Sequence, residues 1–131
     1  MAQLKELFQD ADWKAEKHVP VIEAPAKTKK QEAVSVTVTV GKEIPHPNTT
    51  EHHIRWVEVY FHPKGEKFPY QIGRFEFNAH GESVQGINTS TVYTQPSVKC
   101  SFKTEKPGII LTSSYCNIHG LWESSQELTV E

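Results

Sequence analysis

The sequence predicts an all-β protein, an antiparallel β-sandwich of about seven short strands preceded by a short N-terminal helix. Three observations carry that expectation. Residues 33–40 alternate apolar and polar without a break, residues 54–61 form a β-branched and aromatic run, and Pro/Gly turn signals recur between short apolar segments down to the C-terminus. The 131 residues, 37% of them hydrophobic, supply one core and are too few for two comfortable ones. Residues 1–131 are therefore expected to be one domain, with 1–15 as a helical or extended N-terminal arm.

Taken in order, Leu4, Leu7 and Phe8 recur at helical spacing and predict a short helix within 3–12. Pro20 and Pro25 then exclude a continued helix and favour an extended or looped path. AVSVTVTV at 33–40 places Val34, Val36, Val38 and Val40 on one face and Ser35, Thr37 and Thr39 on the other, a half-buried strand. Gly41, Pro45 and Pro47 break the pattern into a loop. IRWVEVYF at 54–61 reads as a more deeply buried strand, with Val57, Val59 and Phe61 on one face and Ile54, Trp56 and Tyr60 on the other. Tyr70 to Phe77 follows as a strand after the turn HPKGEK, and NAHGES ends it. Shorter strands are expected at 91–94, 97–103, 108–115 and about 121–130, separated by Gln95-Pro96, Lys106-Pro107-Gly108 and the CNIHG turn.

Composition narrows the function. A formal net charge of -2 gives no basic field for nucleic acid, and no apolar run approaches the length of a membrane span. MAQLKELFQDADWKAEKH has none of the layout of a secretory signal, so a cytoplasmic location is expected. In that reducing compartment Cys100 and Cys116 are expected as free thiols, with Cys100 beside Val98 and Phe102 in the core.

Seven histidines are many for this length, and most of them fall in three short segments: Glu16-Lys17-His18-Val19-Pro20, His46-Pro47-Asn48-Thr49-Thr50-Glu51-His52-His53, and Cys116-Asn117-Ile118-His119-Gly120-Leu121-Trp122. Cys-x-x-His lets one tight turn present a sulfur and an imidazole to the same ion, and Gly120 lets the backbone leave that turn with positive φ. The N–H groups of Ile118 and His119 are placed to point back at the Cys116 sulfur. One thiolate with several imidazoles suits iron, copper or zinc and does not suit magnesium or calcium. Spacing alone does not choose between His52 and His53, which would face opposite sides of a strand. The blander reading of each histidine is a loop cap. His62 and His80, in turn segments, are expected to be solvated, Trp56 and Tyr60 to be core, and Trp122 to shield the Cys116 side of a metal or to pack in the core. Lys27, Lys29 and Lys30 read as a solvated loop, with a docking patch for an acidic electron donor as the alternative. Two rivals remain: a blue-copper-like electron-transfer protein, which usually adds an axial Met after the Cys–His pair, and a metal-free binding module. Met1 is the only methionine.

EKHVP at 16–20, HPNTTEH at 46–52 and CNIHGLWE at 116–123 closely resemble, in order, the three motifs of the superoxide reductases, specifically the one-iron class often called neelaredoxins. The resemblance runs from Glu16 to Glu123. It implies an immunoglobulin-like sandwich and one mononuclear non-haem iron cycling between Fe2+ and Fe3+. It further implies four equatorial ligands, His18, His46, His52 and His119, with Cys116 as the axial thiolate, which leaves His53 out. Glu16 matches the carboxylate that closes the sixth position after oxidation, and Lys17 the lysine beside the open face. The implied reaction is reduction of superoxide to hydrogen peroxide, with a rubredoxin-like electron donor and a homotetrameric assembly. A larger class of the family carries an N-terminal four-cysteine iron centre. Here no Cys precedes Cys100, so that centre has no ligands.

Overall fold

The computed structural model describes residues 2–131. Alternation builds the first layer. β1 (Pro20–Glu23), β3 (Val34–Val40) and β6 (Ser97–Phe102) form a three-stranded sheet in the order β1-β3-β6, antiparallel throughout. Val34, Val36, Val38 and Val40 all point inward and are buried, as period two requires. The second layer has five strands in the order β2-β8-β7-β4-β5: β2 (Lys27–Thr28), β4 (Ile54–Pro63), β5 (Tyr70–Glu76), β7 (Gly108–Cys116) and β8 (Gly120–Val130). Only the two-residue β2 pairs in parallel, with β8. Val57, Val59, Phe61, Ile110 and Leu128 face the valines across the gap, and the two inner faces make one apolar core.

The expected β-sandwich is the observed one, and the differences in detail have physical causes. The N-terminal helix is the single turn α1 (Leu4–Leu7), with Leu4 and Leu7 exposed, and not the whole of 3–12. One turn with no buried face gains nothing from tertiary packing that would extend it. Residues 91–94 form no strand; Tyr93 makes only an isolated bridge to His80 within a long loop. The Pro-containing stretch after residue 19 supplies two short strands, β1 and β2.

The face assignment of 54–61 also needs correction. Val57, Val59 and Phe61 point inward as expected, but so does Ile54. The register against β7 shifts between Ile54 and Trp56, so Arg55 is the extra residue of a bulge, and strict alternation fails there. Trp56 and Tyr60 lie half-buried on the outer face instead of in the core. Trp56 stacks on Tyr115 beneath the Arg74 guanidinium, and Tyr60 donates to Glu58. Cys100 and Cys116 are both free thiols. Cys100 packs partly buried against the core, where burial pushes its thiol pKa up.

The core should respond as one packed unit. Ile110→Ala, at a side chain with no exposed surface, is expected to cost about 2–5 kcal/mol through lost burial and the cavity left behind. Urea unfolding at matched metal content measures it.

Candidate metal centre

The ends of five strands meet at one end of the sandwich. His18 lies just before β1, His46 in the loop after β3, His52 just before β4, and Cys116 and His119 in the turn joining β7 to β8. Cys116 pairs with Gly120 at the closing position of that hairpin, and Gly120 has φ 81°, the left-handed region the tight turn requires. The His119 amide donates to the Cys116 sulfur at 3.4 Å.

One ligand-capable atom each of His18, His52, Cys116 and His119 lies within 4.8 Å of the others. His18 Nε2 is 3.0 Å and His52 Nε2 3.2 Å from His119 Nδ1. The His46 ring sits beside them, 4.8 Å from that of His18 and 4.7 Å from that of His52, and its Nε2 is buried with no hydrogen-bond partner. The five sequence candidates thus come together.

Two tautomers follow from their partners. His18 Nδ1 faces Glu16 Oε1 at 2.5 Å, and His46 Nδ1 faces the Pro47 carbonyl at 2.6 Å. Carboxylate and carbonyl oxygens only accept, so each Nδ1 carries the proton and each Nε2 presents a lone pair. Burial pushes the His18, His46 and His52 pKa values down, and neighbouring imidazoles and Lys17 push the same way. His46 reaches about 4. The rings are therefore neutral at neutral pH. One proton on His119 Nδ1 could not serve both facing nitrogens, and none would serve His46 Nε2. A cation would serve all of them. Two nitrogens about 2.1 Å from one ion at right angles stand about 3.0 Å apart, which matches the observed separations. The donor set fits a transition metal.

The other candidates fall around this cluster. Burial raises the Glu16 carboxyl pKa, but its hydrogen bonds with His18 outweigh that and hold it below the usual range. Lys17 is half-buried, and its charge is felt by His18, His46 and His52. His53 turns away, bonding Thr49 O through Nδ1 and stacking on His80. His80 was expected in solvent and is buried, because that stack encloses it. His62 is half-buried and its Nε2 bonds the Glu66 carbonyl. Trp122 stacks on the His18 ring at 5.0 Å and 14°, and its Nε1 donates to the His119 carbonyl at 3.2 Å. It braces two of the imidazoles.

Sequence reasoning passed over the residues that tie the loops together. Asn117 accepts from the His53 amide at 2.9 Å and donates to the Glu51 carbonyl at 2.9 Å, binding the Cys-x-x-His turn to the segment that carries His52. The Ser114 hydroxyl donates to the His18 carbonyl at 3.3 Å. Asn117 stood inside a motif and was legible there; Ser114 carried no signal.

The fold and this cluster define a β-sandwich metalloprotein with one thiolate and several imidazoles at a strand-end site. Residues 10–125 match the Desulfoferrodoxin family, and the chain belongs to it. A crystal structure from Thermotoga maritima superposes with a TM-score of 0.97 at 61% identity, covering 100% of this chain and 99% of that one. The superoxide reductase of Pyrococcus furiosus is 59% identical over 128 residues, 98% of this chain and 99% of its own length. The superoxide reductase (neelaredoxin) of Archaeoglobus fulgidus, solved in the reduced form, is 60% identical with a TM-score of 0.87, covering 94% of this chain and 98% of that one.

The lowered pKa values make stability depend on pH. An unfolded His titrates near 6.5, whereas His46 in the fold titrates at about 4. Between those values the unfolded chain binds more protons, so metal-free protein is fully stable above about pH 6.5 and loses stability as pH falls toward 4. Urea midpoints across this range should drop on acidification, and His46→Asn should flatten part of the slope. Constant midpoints would contradict burial as the governing cause.

Proposed function

We propose that this protein is a superoxide reductase, converting superoxide, one electron and two protons to hydrogen peroxide at a mononuclear iron held by His18, His46, His52, His119 and Cys116. The observation that carries the reading is the convergence of one sulfur and four imidazoles, one of whose ring nitrogens is buried without a partner. Iron bound there would supply the single electron, cycling between Fe2+ and Fe3+. Four imidazoles around one thiolate also exceed the two histidines of a blue-copper site, which argues against that rival.

The chain's own residues prepare the reaction. His18 and His46 are locked with Nε2 inward by Glu16 and the Pro47 carbonyl, so no ring flip or proton loss has to precede metal binding. Lys17 places a positive charge at the rim, and a charge of that sign raises the encounter rate of a small anion. The site lies on loops at the end of the sandwich, where the exposed His119 borders water that can deliver protons. Glu16 bonds His18 here, and we assign to the same carboxylate a further role as an oxygen donor that would hold the iron once oxidised. With iron bound, the Cys116 thiolate would donate electron density to it.

A rubredoxin-like donor returns the electron, and we place the protein in the cytoplasm as a homotetramer that removes superoxide during oxidative stress. No helix among the described residues is long and apolar enough to cross a membrane.

Metal analysis of purified protein and rapid mixing of the reduced form with superoxide test the reading. One iron per chain, oxidised with release of peroxide, is expected; copper or no metal would overturn it. Cys116→Ser should lower turnover about 100-fold or more while the β-rich circular dichroism persists, since even outer partners of a metal are worth 10–100-fold. Lys17→Ala should slow the second-order reaction with superoxide by about tenfold and weaken its dependence on ionic strength. Retention of the full salt dependence would remove Lys17 from that role.

A further inference from the structure

The segment carrying His46 and His52 has no regular structure, yet both rings must aim at one point. A second loop, residues 78–94 between β5 and β6, lies against it. Asn88 adopts φ 55° and grips the segment from three atoms. Its Oδ1 accepts from the Thr50 amide at 2.9 Å, its amide donates to Thr50 Oγ1 at 3.2 Å, and its Nδ2 donates to Glu51 Oε1 at 2.6 Å. Thr50 Oγ1 in turn donates to the His80 carbonyl at 2.9 Å, and Asn48 Nδ2 donates to the Thr94 carbonyl at 2.6 Å. Next to these bonds the His53 and His80 rings stack face to face, 3.5 Å apart and 7° from parallel. Burial and the neighbouring His53 hold the His80 pKa down, so the stacked rings do not repel as two cations.

The second loop is itself braced. The Thr89 and Ser90 amides both donate to the Gly81 carbonyl, and Thr94 donates to the Ala79 carbonyl through its amide and its hydroxyl. Gly81, at φ 99°, lets the two loops close: a Cβ there would stand 3.0 Å from both Asn88 Oδ1 and Thr50 Oγ1. The loop's other side carries exposed Val84, Ile87 and Val92 and takes no part in the grip.

We propose that residues 78–94 form a positioning clamp for the metal centre, in which Asn88 and His80 hold the His46–His52 segment in the shape that aims both imidazoles inward. The inference rests on the proposed ligand set and extends it to residues that touch no metal. Asn48 and Thr50 then have a reason to stand between the two histidines: they are the segment's handles for the clamp.

The test uses iron-loaded protein. One readout is the rate at which a ferrous chelator strips iron from the reduced form. The other is the position of the sulfur-to-iron charge-transfer absorption of the oxidised form. Thr50→Val removes the central hydroxyl, and Asn88→Gly removes the side-chain grip at a residue whose positive φ glycine tolerates. Each should speed iron loss about 10–100-fold and shift the absorption, as loss of outer partners of a metal does. Thr50→Ser, which keeps the hydroxyl, and Val84→Ser, on the far side of the loop, should match the wild type. Should Asn88→Gly fail to fold, Thr50→Val against Thr50→Ser decides alone. Folded Thr50→Val protein that releases iron within twofold of the wild type, with an unmoved absorption, overturns the clamp while leaving the ligand set standing. Wild-type protein that takes up no iron overturns both.

Discussion

A cluster of lone pairs with too few protons governs this molecule. Three ring nitrogens stand 3.0–3.2 Å apart in succession, a fourth is buried without a partner, and the Cys116 sulfur completes the group. Burial keeps water from His46 Nε2 and from the Cys116 sulfur, and Glu16 and the Pro47 carbonyl hold the Nδ1 protons of His18 and His46 away from the cluster. The sandwich exists, in this sense, to hold that arrangement together. Each donor is fastened at or near a strand end, and every one of those strands is anchored in the same valine-rich core.

Function and stability therefore pull in opposite directions at one place. Neutral buried histidines keep their lone pairs free for an ion, and the same burial makes the empty site a cost to folding whenever protons are plentiful. An ion that binds only the folded chain reverses the balance by mass action. Lys17 fits the same scheme: its charge discourages protons on three of the rings while favouring the arrival of an anion.

Much of this was legible in the residues. Period-two alternation at 34–40 reports directly on burial, and the order of the three motifs located the cluster, because motif chemistry is local. What escaped was set by distant partners. Ile54 changed faces because a bulge at Arg55 answers to the register of β7, which no local period encodes. His80 looked like a turn histidine because its cover, His53, lies 27 positions away in the chain. Residues 91–94 had strand composition but make only the single bridge from Tyr93 to His80, and became part of a loop built on side-chain bonds. The Glu16–His18 hydrogen bond was not read from the sequence, because spacing does not express which partner a carboxylate takes.

The turn between β7 and β8 deserves a last thought about alignment. Nine consecutive residue pairs zip these two longest-paired neighbours together, and the zip ends at Cys116 opposite Gly120. Sliding β7 by a single position would turn the sulfur to the other side of the sheet. An ion seated at that end would act as a latch at the mouth of a zipper, since only the aligned pairing brings the sulfur to the imidazoles.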